Sequence, residues 1–93
     1  MPRDSRLETQ AKRMLGTSLR LLREDRGWAH DDIADAIGVT PDAVRKYERG
    51  VRAPGIHQLI LLAGMYGVTL DRLVYGQDRR PKPLPVIRMK LEP

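Results

Sequence analysis

The sequence contains no cysteine. Disulfides and thiolate–metal sites are therefore excluded, and the composition fits a reducing cytoplasm. Only two histidines are present, so a zinc ion would have to recruit carboxylates, and no spacing suits one. No apolar run is long enough to cross a bilayer, and no apolar segment follows the charged start as a secretory signal would. There is no nucleophile–base pair, metal-ligand cluster or glycine loop for phosphate. The expectation is a protein that is not an enzyme and carries no cofactor or metal. Length is scarce too: 93 residues make one small domain. Such a chain buries only a modest core and depends on good local signals, with a partner subunit as a further support.

What is present is an ordinary globular mix, 41% apolar and 31% charged. The net charge is +5, a balance that suits a nucleic-acid partner. Its location matters. Residues 1–13 carry four basic side chains against two acidic ones, and residues 77–93 carry five against two. The stretch 14–76 has eight of each and is neutral. The chain accordingly divides into an N-terminal arm or helix extension at 1–13, a domain at 14–76 and a basic, proline-rich tail at 77–93. Binding by the middle must rest on how its charges are arranged.

Glycines 27, 38, 50, 55, 67 and 76 cut that middle into segments of about one helix each, none alternating with period two. An all-α domain is expected, with helices over about Ser5–Arg26, His30–Ile37, Pro41–Arg49, Ile56–Tyr66 and Leu70–Tyr75. In the first, Leu7, Ala11, Met14, Leu15, Leu19 and Leu22 recur at helical spacing, and Gly16 costs about 1 kcal/mol relative to alanine. The second lacks a Ser or Thr cap at Ala29, with Asp31 and Asp32 compensating through the helix dipole. The third starts strongly, with Thr40 as cap and Pro41 at the first position. The fourth is apolar over most of its circumference and is expected to be the most central. In the tail, Pro81, Pro83 and Pro85 forbid helix, and residues 86–92 then alternate like a short strand.

The joint between the second and third segments is the informative feature. Two helices cross steeply where a small residue sits at the crossing and the turn accepts a left-handed residue; Ala34 and Gly38 meet these needs. Ile33, Ile37, Val39 and Val44 bury the inner faces. Pro41, Asp42, Ala43, Arg45, Lys46 and Arg49 are left for the outer face of the third helix. Residues 45–52 hold four basic side chains against Glu48 alone, whereas 30–37 hold three aspartates.

The runs LGTSLRLLREDRGW, DDIADAIGVTPDAVRKYERG, VRAP and LILLAGMYGVTLDRLVYG, in this order and register, resemble the helix-turn-helix domain of the phage repressor/Cro family, the xenobiotic-response-element type. The resemblance covers about two-thirds of the chain. It implies a five-helix lambda-repressor-like bundle whose third helix enters the major groove of double-stranded DNA while the second bridges the backbone. By position it implies base reading by Pro41, Asp42, Ala43, Arg45 and Lys46. It implies phosphate binding by Ala29, through backbone N–H groups at the start of the second helix, and by His30, Arg49 and Arg52. It also implies an internal ion pair of Arg23 with Glu48. Ala29-His30 departs from the family's usual Ser or Thr followed by Gln, and Pro41-Asp42 from its frequent Gln, Ser or Arg.

Trp28 and Tyr47 fall in the buried register, and His57 belongs on the surface. The implied function is a cytoplasmic, sequence-specific transcriptional regulator, a repressor that works as a homodimer, since one helix-turn-helix reads few base pairs. The alternative is a protein-interaction module on the same fold, such as an antitoxin bound to a toxin. The tail either adds phosphate contacts or supplies a strand that pairs with its copy in a second subunit or packs on the domain.

Overall fold

The computed structural model describes residues 5–76. The expectations for the 77–93 tail, including the strand at 86–92, lie outside the described residues. Within them the chain forms five helices: α1 Ser5–Arg26, α2 His30–Ile37, α3 Pro41–Arg49, α4 Ile56–Tyr66 and α5 Leu70–Tyr75. No strand occurs among the described residues, and none of their helices is long and apolar enough to cross a membrane.

The helices close into a ring. α1 packs on α3, α3 on α2, α2 on α4, α4 on α5, and α5 returns to α1. One core fills the ring, with Ile33, Leu62 and Leu73 fully enclosed and Leu15, Leu19, Leu22, Val44, Tyr47 and Tyr66 around them. Each large apolar side chain enclosed in this way is worth about 1.5–3 kcal/mol. Trp28 lies at the rim, its ring stacked on Tyr66 with centroids 5.6 Å apart. Arg26 donates to the Tyr66 carbonyl at 2.6 Å and lies over the same ring, fastening the ends of α1 and α4 together.

One expectation needs correction. α4 is not the central helix. It turns Leu62, Ala63 and Tyr66 inward, but Ile56, Ile60 and Leu61 are 68%, 57% and 47% exposed. A helix apolar all round cannot declare from its sequence which side a ring leaves uncovered. In α1, Leu15, Leu19 and Leu22 are buried, whereas Leu7 and Met14 are exposed. The described helix begins at Ser5, and its first turns extend beyond the core.

Gly16 has a positive role. A Cβ there would lie 2.5 Å from the carbonyl oxygens of both Tyr47 and Glu48. The missing side chain lets α1 meet the backbone of α3. Gly50 works the same way from the other side: it has φ +75°, and a Cβ on it would lie 2.8 Å from the Arg13 Cα. α3 is thereby held by backbone contact along one side, which fixes the direction its other side faces.

Candidate nucleic-acid interface

The geometry of α3 follows from its ends and its spacing. Thr40 Oγ1 accepts from the Ala43 N–H at 3.1 Å, and Pro41 occupies the first turn, where no hydrogen-bond donor is needed. At the far end Gly50 adopts the left-handed conformation and its N–H donates to the Tyr47 carbonyl. Ala43, Val44 and Tyr47 face the core. Asp42, Arg45 and Arg49 are exposed, Lys46 is half-buried and Pro41 partly so.

Ala43 therefore leaves the expected base-reading set. It is 6% exposed and packs in the core. It stands four residues before Tyr47, and that spacing places both on the same side of a helix. The outer row is instead Asp42, Arg45, Lys46 and Arg49, linked by three- and four-residue steps. Lys46 Nζ and Asp42 Oδ2 are 3.2 Å apart, so the two charged candidates for base reading pair with each other in the free protein. Arg45, Arg49 and Arg52 have no ion-pair partner among the described residues.

The joint below this face is tied by one carboxylate. Glu48, whose side chain is 6% exposed, accepts from Arg23 Nε at 2.7 Å, from Arg23 Nη2 at 3.1 Å and from His30 Nε2 at 3.1 Å. Arg23 also donates to the Trp28 carbonyl at 3.0 Å. The hydrogen bond that Arg23 donates to Glu48 raises the Arg23 pKa, outweighing the opposing effect of burial. Since a carboxylate only accepts, the His30 proton lies on Nε2 in this bond. Thus α1, α2 and α3 meet at Glu48. His30, expected at a phosphate, has one ring nitrogen committed to that carboxylate and is only partly exposed.

Ala29 departs in a similar way. Its N–H donates to Asp32 Oδ2 at 2.9 Å, so the carboxylate supplies the cap that the missing Ser or Thr would have given. That N–H is engaged within the protein.

One residue was not singled out from the sequence. Arg20 of α1 lines a groove with Arg45 and Arg49 of α3. Its signal was available: it stands one helical turn before Arg23, on the side of α1 that turns to α3. Among the described residues no group of His, Asp and Glu side chains could hold a metal ion.

Residues 19–73 match the profile of a helix-turn-helix family. The SPbeta prophage-derived uncharacterized HTH-type transcriptional regulator YonR of Bacillus subtilis is 33% identical over 63 residues, 68% of this chain and 58% of that protein. The cryptic phage CTXphi transcriptional repressor RstR of Vibrio cholerae is 33% identical over 65 residues, 70% of this chain and 59% of that protein. The chain thus spans a little over half the length of these relatives. A solved transcriptional regulator from Listeria innocua superposes with a TM-score of 0.65 at 26% identity, covering 83% of this chain and 71% of that one.

Proposed function

Because the chain belongs to the Cro/C1-type helix-turn-helix family, we propose that it is a sequence-specific regulator of transcription that binds double-stranded DNA, a repressor acting as a homodimer in the cytoplasm. One observation carries this reading. The outer row of α3 is cationic and accessible, while its inner row is locked in the core and its backbone is fixed against α1. A rigid helix with such a face fits a major groove. Lys46, once it exchanges Asp42 for a base, is a donor to guanine O6 or N7, and Asp42 becomes free to accept from cytosine N4. Arg49 and Arg52 neutralise phosphates on either side and set the register without reading sequence.

The second copy is supported by α4. That helix has no Asp, Glu, Lys or Arg, and its outer side presents Ile56 and Ile60. The next position on that row is Gly64, where a Cβ would meet nothing within 4 Å, so a neighbouring helix could approach closely. A two-fold interface brings a patch against itself, so a patch without charge does not repel its copy, although the whole chain carries +5.

The test is selection of bound duplexes from a random pool, with sedimentation on the same sample. A defined, roughly palindromic sequence bound by a dimer is the expected result. Lys46→Ala should then relax the preference at one base pair at a cost of about 1–3 kcal/mol. Arg52→Ala should weaken every duplex alike and lower the salt slope by about 1. An unselective pool from a protein that co-purifies with a small protein partner would favour the interaction-module alternative and remove the regulator reading.

A further inference from the structure

We propose that the DNA-binding surface extends onto α1, where Arg20 joins Arg45 and Arg49 in seating one backbone phosphate; this inference rests on the DNA-binding reading above. The three arginines line a groove of about 410 Å³ between α1 and α3. Its other walls are already balanced. Arg23 and Glu48 neutralise each other, with His30 on the same carboxylate. In the free protein Asp42 is balanced by Lys46. What remains toward solvent is the charge of Arg45 and Arg49, with that of Arg20 only weakly offset by Glu24.

Arg20 is held only loosely by the protein itself. Its Nη1 lies 4.0 Å from Glu24 Oε1, with both side chains half exposed. Such a surface pair contributes at most about 1 kcal/mol, and a phosphate that the guanidinium can grip with two parallel N–H groups competes with it. The seat is also pre-formed. The Gly16 contact joins α1 to the carbonyls of Tyr47 and Glu48, so the backbones carrying Arg20 and Arg45 cannot drift apart. The groove lies beside the base-reading row, with Asp42 on its wall. A phosphate there flanks the base pairs that α3 reads. Arg20 acts through the backbone and carries no sequence preference.

The test uses the full chain with a selected duplex and an unrelated duplex of equal length, each titrated across a range of salt. Arg20→Ala should weaken both duplexes alike and lower the salt slope by about 0.9, the value of one phosphate contact. Arg20→Lys should restore most of the slope, and Glu24→Gln should tighten both duplexes by releasing Arg20. Replacing single phosphates with uncharged methylphosphonates should reveal one position that weakens the wild type more than it weakens Arg20→Ala, which keeps Arg45 and Arg49 on the same phosphate. Melting should be unchanged, because Arg20 is exposed. An unchanged slope in Arg20→Ala beside a lowered slope in Arg52→Ala overturns the Arg20 seat alone. A wild type that binds neither duplex overturns this inference and the regulator reading together. Competition by millimolar inorganic phosphate equal to that by sulfate, with no methylphosphonate position found, would show a general anion site and also overturn the proposal.

Discussion

Gly16 shows how one residue can be judged oppositely at two levels. In an isolated helix, Gly16→Ala stabilises by about 1 kcal/mol. In the folded protein the new methyl group would sit 2.5 Å from two backbone carbonyls that cannot rotate away. The second effect wins, because overpacking against backbone costs about 1–3 kcal/mol or more and moves α3 as well. Gly16→Ala should therefore lower the protein's denaturation midpoint while raising the helicity of a peptide covering α1. A protein midpoint that rises instead would show that α1 does not press on α3. The sequence revealed the helical cost of Gly16 and concealed its use, because Tyr47 and Glu48 are distant along the chain. Ala43 was obscure for a related reason: alanine is at home on either side of a helix, and only its spacing from Tyr47 betrays the buried one. By contrast, Thr40 and Pro41 were legible, since a cap and a first-turn proline act within a few residues.

At the scale of elements, the junction of α1 and α4 carries a pH dependence. The Tyr66 ring is buried against Trp28 and Arg26, and burial is the main cause that pushes its phenol up from 10.0 to about 12. Nearby Glu48 pushes the same way. The folded state therefore favours the neutral phenol more than the unfolded chain does. This contribution is complete below the unfolded pKa near 10 and is lost as pH rises toward about 12. Chemical denaturation followed by Trp28 fluorescence should give a midpoint that falls across that window. Tyr66→Phe should flatten this part of the fall, and an unaltered fall would assign it to other groups. The element boundaries were readable because glycines and caps punctuate them. The exposed side of α4 was not, because its pattern is apolar nearly throughout, and which side stays open is decided by the neighbours a ring supplies.

At the scale of the whole molecule, the described helices leave two surfaces of different character. One is the cationic row of α3 with Arg20 beside it, and the other is the uncharged outer side of α4. If the latter joins two copies, Ile60→Asp should give a monomer in sedimentation with little change in the melting of the fold, because Ile60 is 57% exposed. Binding to a palindromic duplex should then weaken far more than binding to a half-site. A dimer that survives this substitution would place the interface elsewhere. The fold class could be read in advance because the order of its motifs is distinctive. The combined groove could not, since its walls come from segments that only folding brings together.

The arrangement around α3 also separates two kinds of evolutionary change. Ala43, Val44 and Tyr47 on one side, with Gly16 and Gly50 beneath, answer to the interior. Asp42, Arg45, Lys46 and Arg49 answer to almost nothing inside the molecule. On the DNA-binding reading proposed above, descendants of this chain can thus trade Asp42 and Lys46 for others and acquire new target sites, keeping Arg45 and Arg49 for the backbone, while the scaffold beneath stays as it is.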